Sequence, residues 1–389
     1  MAYAVLVVSA LFFEIALNLP VGTMPLALTQ DGTPRPAIAV AMGCGMFAAL
    51  FASLPVGALT DRFGRLATIR AAAFLGAASL AGLAFAHGPV LGGVLLGVRS
   101  IAIVAYMTAE FAYASELASK DRAVSGVATL GMIGNLTFAV APALSVVLWQ
   151  HGVGREQYVY ATALALAGAA GLFLLPKRHD VRSGAKHAPL LMHPRWLPAM
   201  GFAAATTLQG GVNGALAILT FGDRGIANGA VLFSASALVS FALRYPSGRL
   251  VDRFGPRAIA IPVAAIQATG CLLAAEARSL EAVVVAGACF GLAWSAVVPV
   301  TLGLLFEHST SRTRGAAMGA YNLAFSGGAA IGAVLATCAT LAGPGYPLAI
   351  ALCSVAPLAV LPFVLRSRRS TRVVAQRAAV AAASGALGD

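Results

Sequence analysis

Apolar runs of about twenty residues alternate with short polar gaps along the whole chain. The runs fall at roughly 3–28, 37–59, 67–87, 89–117, 123–148 and 157–176, then at 196–220, 226–248, 258–276, 281–306, 315–340 and 345–365. Each is long enough to cross the hydrocarbon core of a bilayer as a helix. No water is present there, so every backbone polar group must be paired within its own segment. The pattern predicts an all-α membrane protein of twelve transmembrane helices in two pseudo-symmetric six-helix bundles. Residues 1–176 form the expected N-terminal bundle and 195–366 the C-terminal one. The polar, basic stretch 177–194 reads as a linker between them, and 367–389 as a disordered tail near anionic headgroups.

The gaps set the orientation. One alternating set holds fifteen Lys and Arg residues, among them Arg62, Arg65, Arg70, Arg249, Arg253 and Arg257, and the tail from Arg366 adds five. The other set holds only Arg35, Arg155, Arg224 and Arg278. Twenty against four is a positive-inside bias that puts both termini in the cytoplasm. The first segment, "MAYAVLVVSALFFEIALNLPVG", lacks a basic leader and reads as a retained span.

Composition agrees. The chain has 389 residues, 59% hydrophobic and 10% charged, with a mean hydropathy of +0.85. Soluble domains are closer to a quarter charged. The net charge of +12 sits in short gaps rather than on one soluble face, which argues against nucleic acid as a partner. The five cysteines fall inside apolar runs without metal-ligand spacing, and read as packing residues. His179, His187 and His193 in the linker fit no usual metal pattern. No Walker loop is present. A membrane-embedded enzyme needs a nucleophile, a metal cluster or paired acids at one depth, and none is apparent.

The gaps also repeat. "PVGALTDRFG" (55–64) and "PSGRLVDRFG" (246–255) agree at seven of ten positions, 191 residues apart. The same offset carries Glu116 onto Glu307 and Asn18 onto Gln209. Hydropathy alone does not align charges, so a six-helix unit is duplicated. Parallel repeats of this kind mark transporters whose site lies at the midplane between halves.

With these residues in view, "GALTDRFGRLATIR" (57–70) resembles the signature loop of the major facilitator superfamily. "GRLVDRFGPR" is similar, with Pro256 where the family's first half has arginine. The resemblance implies a cytoplasmic gate built from Gly57, Asp61, Arg62, Gly64, Arg65 and Glu116 in one half. Asp252, Arg253, Gly255, Arg257 and Glu307 form its partner. Asp61 is then expected at the N-terminus of span eleven, where the helix dipole favours an anion. Arg65 bridges Asp61 to Glu116, and the glycines permit a sharp reversal and close helix approach. The alternative is charge that serves only to orient the spans.

The resemblance further implies that spans one, four, seven and ten line a central cavity. A charge at mid-span costs roughly 2.5–3.5 kcal/mol on insertion scales, so Glu14 and Arg99 need a reason. Their depths match, and both are assigned to proton coupling; a fixed structural ion pair is the alternative. Asn18 lies on Glu14's face, and Gln209 and Asn213 share a face of span seven. With Met107, Trp294, Thr301, Tyr321 and Asn322 they are the substrate-binding candidates, each equally able to serve helix packing. Glu110 is assigned to the cytoplasmic side of span four, and Arg244 to structure. "GVRSIAIVAY" (97–106) resembles the span-four arginine motif of drug–proton antiporters. The span-five positions Ala128, Thr137, Ala141, Pro142 and Ser145 keep that motif's proline but not its glycines.

The expectation is a secondary active transporter that exports a small organic or amphipathic compound by proton antiport and alternating access. The alternative is proton-coupled uptake of a small metabolite on the same scaffold. Protons are the coupling ion, with no cofactor, no metal and no catalytic residue. The partners are a small-molecule substrate and the lipid bilayer, and the chain is expected to be a monomer. Its alanine- and arginine-rich composition suits the inner membrane of a bacterium.

Overall fold

The computed structural model describes residues 2–117, 123–176, 193–309, 314–343 and 345–367. The linker, apart from its last two residues, and the tail beyond Ser367 lie outside the described residues, as do the side chains of Asp61 and Glu116.

The described residues are almost wholly helical. The first half holds α1 (Ala2–Gln30), α2 (Arg35–Ser53), α3 (Val56–Phe63), α4 (Arg65–Phe85), α5 (Pro89–Leu117), α6 (Ala123–Gln150) and α7 (Glu156–Gly171). The second holds α8 (Leu197–Val212), α9 (Ile218–Asp223), α10 (Val231–Phe254), α11 (Pro256–Glu276), α12 (Leu280–Phe306), α13 (Arg314–Leu341) and α14 (Tyr346–Arg366). A π-helical turn, Asn213–Ala217, joins α8 to α9 in one span. The second predicted span breaks at Leu54–Pro55 into α2 and α3. The eighth begins five residues later than hydropathy suggested. Gly225, at a φ of 76°, and Asn228, which accepts from the Ala230 amide at 3.1 Å, first turn the chain.

Eleven helical runs among the described residues are long and apolar enough to cross a membrane. The twelfth span, α10, carries Arg244, Arg249, Asp252 and Arg253 in its second half. Large apolar side chains such as Phe85, Val90, Leu341 and Phe363 point outward. That surface suits lipid, not water.

Packing repeats across the halves. In the first, α1 packs on α6 and α7, α2 on α5, and α4 on α5 and α7. In the second, α8 packs on α13 and α14, α10 on α12, and α11 on α12 and α14. The halves meet through α2 against α13 and α6 against α10. Little hydrophobic force drives helices together in lipid, so close packing has to hold them. Glycine supplies it. Gly287 and Gly291 of α12 face the Leu232 and Ser236 carbonyls of α10. Gly328 and Gly332 of α13 face the Ala204 and Leu208 carbonyls of α8, and Gly211 faces Ala329. A methyl group at any of these five positions would overlap backbone atoms.

The paired loops adopt one geometry. Gly64, at a φ of 93°, separates α3 from α4, and Gly255, at 87°, separates α10 from α11. These are left-handed values that favour glycine. Gly57 plays no such part. It is exposed, and nothing lies within 4 Å of where its Cβ would be, so close helix approach is not its role.

Candidate substrate cavity and proton site

A cavity of about 1030 Å³ lies between the halves. It runs from mid-span at Met46, Asn213 and Phe290 towards the end that carries the Gly64 and Gly255 turns. Phe111, Arg244 and Tyr245 line it there, and Tyr245 is 75% exposed. The opposite end is closed by contacts between halves. Arg35 is ion-paired with Asp223, Gln150 donates to the Ala227 carbonyl, and Asn228 donates to the Ala143 carbonyl at 3.1 Å. Below them, Phe138 and Phe233 meet edge to face at 5.7 Å.

Glu14 lies on the cavity wall at 6% exposure. One of its oxygens accepts from the Thr137 hydroxyl of α6 at 3.2 Å. Asn18, one turn along α1, donates to the same hydroxyl oxygen at 3.4 Å. Gly134 makes room: its absent Cβ would sit 3.3 Å from the carboxyl. The second Glu14 oxygen is buried without a partner.

Arg99 does not join this group. Its Nε donates to the Leu17 carbonyl, and its side chain lies outside the cavity lining. The two mid-span charges are therefore neither paired nor exposed to one space. A backbone carbonyl of α1 takes the Nε donor instead.

The facing wall comes from the second half. Asn213 donates to the Gln209 side-chain oxygen at 2.5 Å, and Tyr346 donates to the Asn213 oxygen at 2.9 Å. Both amide oxygens are engaged, which leaves the Gln209 amide group free to donate into the cavity. Trp294, Phe325 and Tyr321 form a continuous aromatic surface, with ring centroids 5.1 and 5.7 Å apart. Met107 lines the first half's wall, together with Asn135, whose amide nitrogen donates to the Gly131 carbonyl at 3.1 Å.

Two substrate candidates are placed elsewhere. Asn322 is exposed and outside the lining. Successive helical residues sit about 100° apart, so its neighbour Tyr321 takes the cavity position. Thr301 is fully buried beyond the lining, and its hydroxyl has no partner. Sequence reasoning did not single out Asn135, Phe138, Phe233, Phe325 or Tyr346. Four of the five are aromatic and look like any other apolar span residue in a hydropathy pattern.

At the turn-bearing end, Arg257 holds Glu307 through hydrogen bonds of 2.7 and 2.9 Å and reaches Ser367 at 3.0 Å. This pair joins α11 to the end of α12 within one half. It is intact while the cavity opens beside it, so its presence does not report closure. Asp252 and Arg253 are exposed, and Asp252 has no ion-pair partner among the described residues. Arg62 is exposed, and Arg65 donates to the Ala112 carbonyl at 3.3 Å. The bridge expected from Arg65 to Asp61 and Glu116 involves side chains outside the described set.

Twelve spans in two like halves around a central cavity define a multi-pass membrane transporter. The sequence matches the family model of the Major Facilitator Superfamily over residues 6–213 and again over 198–387, and the chain belongs to that family. As such it is a solute carrier and not an enzyme. Two solved structures are similar. One is an aspartate-to-alanine mutant of the nucleoside transporter NupG, with a TM-score of 0.81 at 13% identity over 95% of this chain and 100% of that one. The other is NupG itself, with a TM-score of 0.74 at 12% identity over 94% and 99%. No curated protein matches the sequence.

Proton-coupled efflux by antiport is corrected by this comparison. The structures matched over nearly the whole chain are of a nucleoside transporter, which supports the alternative, uptake of a metabolite. The drug-antiporter likeness drew in part on the span-four motif, whose Arg99 turns to a backbone carbonyl rather than to the cavity.

Proposed function

We propose that this protein carries a nucleoside-like metabolite into the cell together with protons. One observation carries the reading. Glu14 presents a carboxyl with one unpartnered oxygen to a cavity whose opposite wall is aromatic and amide. Trp294, Tyr321 and Phe325 offer faces on which a planar heterocycle can stack. Gln209, Asn18 and Asn135 offer hydrogen bonds to its polar edges and to a sugar. A volume of about 1030 Å³ admits such a molecule with water to spare. The likeness to NupG supports the same substrate class.

The excess of Lys and Arg at the turn-bearing end supports placing that end, and both termini, in the cytoplasm. The cavity is then open inward, in the membrane of a bacterial cell, and the Arg35–Asp223 pair belongs to the outer gate. The two bundles, 1–176 and 195–366, rock about the cavity to expose it alternately. Arg65, bound to the Ala112 carbonyl, and Arg257 with Glu307 brace the inner ends of the helices that move. Proton entry draws on the membrane potential, about 2.3 kcal/mol per charge per 100 mV. Glu14 carries the proton, and Arg99 fixes the height of α1 beside it. A single chain holds the whole cavity, so the working unit is a monomer.

Reconstituted vesicles loaded at neutral pH and placed in acidic buffer test this directly. Labelled nucleosides should accumulate, and Glu14→Gln should abolish accumulation while exchange of substrate for substrate continues. Failure of every nucleoside and nucleobase to accumulate would overturn the substrate class. Full proton-driven uptake by Glu14→Gln would overturn the coupling role.

A further inference from the structure

We propose that Glu110 is a second proton-binding site, coupled electrostatically to Glu14, so that the two acids are not ionised together. The proposal rests on the reading of Glu14 above and adds a residue to it. Glu110 sits on α5 with no exposed surface, and neither carboxyl oxygen has a hydrogen-bond partner. It does not line the cavity. One turn before it, the Tyr106 hydroxyl is likewise buried and unpartnered. The Tyr106 ring stacks on Phe13 at 3.9 Å and 17°, beside Glu14 on α1. Glu14, Tyr106 and Glu110 are all within electrostatic reach of one another. Glu14 on α1 and Tyr106 and Glu110 on α5 thus carry four unpartnered polar atoms, and of the three residues Glu14 alone meets the cavity.

A buried carboxylate without a counter-ion is strongly unfavourable, so a neutral acid is the form that this site holds. The groups around it agree. From α1 the ionisable side chains are Tyr3 and Glu14, and from α5 itself Arg99, bonded to the Leu17 carbonyl, with Tyr106 and Tyr113, whose hydroxyl donates to the Pro176 carbonyl at 2.8 Å. From α4 they are Arg65, which binds the Ala112 carbonyl, and Arg70, which binds the Leu172 carbonyl at 2.9 Å. Arg62 of α3 is exposed, and Asp61 lies outside the described side chains. α6 presents no ionisable side chain among its described residues, and α2 has only Cys44, exposed, and Arg35 at the far end.

The internal repeat shows that packing does not require an acid there. The offset of 191 maps Glu110 onto Thr301, which is also fully buried with an unpartnered hydroxyl. The same fold accepts a small neutral group at that depth. A proton that leaves one acid while the other keeps its own costs less than a second ionisation, which couples the two titrations. When Glu14 discharges into the cavity, Glu110 therefore keeps its proton. When Glu14 is neutral, ionising Glu110 costs less.

Infrared difference spectra of the purified full-length protein, recorded while pH is stepped, read carboxyl protonation directly. The wild type should show two carboxyl carbonyl signals that titrate in two steps. Glu110→Gln should remove one signal and reduce the other to one step, and Glu14→Gln should keep the Glu110 signal. Should Glu110→Gln fail to fold, Glu110→Asp should move one signal in frequency and midpoint. The proposal is overturned if the wild type and the Glu110 variant titrate identically. That outcome leaves the vesicle assay of Glu14→Gln standing, so the two readings fail separately.

Discussion

The Thr137 hydroxyl donates to the Glu14 carboxyl at 3.2 Å, which joins α6 to α1 at the cavity wall. The bond holds the acid at the wall, while its other oxygen stays buried and unpartnered. Thr137→Val keeps the volume and removes the donor. A hydrogen bond to a charged group contributes about 1.5–3 kcal/mol, so proton-driven uptake should fall at least about tenfold. Exchange without a proton gradient should change little. Transport measured in both modes checks this.

Tyr346 acts at one remove. Its hydroxyl holds Asn213, and Asn213 holds Gln209, so the phenol sets the amide that faces the cavity. Tyr346→Phe leaves a buried amide oxygen unsatisfied, at a cost of about 1–3 kcal/mol. Substrate KM should rise roughly fivefold or more, and the pH dependence of uptake should stay as in the wild type.

Close helix contact gives a stability prediction with its own control. At Gly211 a methyl overlaps the Ala329 carbonyl, whereas at Gly57 nothing lies within 4 Å. Forcing α8 from α13 belongs with overpacking changes of about 1–3 kcal/mol. Gly211→Ala should lower Tm by several degrees in detergent, and Gly57→Ala should leave it within a degree or so.

Arg35 and Asp223 pair across the closed end with about half of each side chain exposed. Exposed pairs contribute about 0–1 kcal/mol. Arg35→Gln should therefore shift the balance between inward- and outward-open states by no more than about fivefold, towards opening of that end. Distance distributions between spin labels on the two halves, with and without the substitution, measure it.

Asp31 lies beyond the end of α1. Partial burial disfavours its charge, but Arg155 at 2.6 Å, the Gly88 amide at 2.9 Å and His87 at 3.1 Å favour it more strongly, and its pKa falls to about 2. A carboxyl held below its unfolded value stabilises the fold above the ordinary range, and that contribution is lost as pH falls towards 2. Asp31→Asn should lower Tm at pH 7, and the difference from wild type should shrink only in strong acid.

The spans and their pairing were legible because charges interrupt an apolar chain at repeated intervals. The 191-residue offset placed Gly64 against Gly255 and Asn18 against Gln209, and both pairs occupy corresponding places. Helical spacing put Asn18 on the face of Glu14 and Gln209 on the face of Asn213, and the family resemblance put both faces on one cavity. Spacing could not tell Tyr321 from Asn322, since a cavity face is known only once neighbouring helices are in place. It also matched Glu14 and Arg99 by depth, while the rotation of α5 turns the guanidinium towards Leu17. The aromatic lining stayed hidden because a phenylalanine facing a cavity and one facing lipid have the same hydropathy.

Gly211, Gly328 and Gly332 bring α8 and α13 so close that Gln209, Tyr321 and Phe325 ride on one stiff plate. A solute gripped there should meet the same chemical face whichever side the pore admits. Selectivity would then be set once, by the jaw, and direction would be left to the gradient.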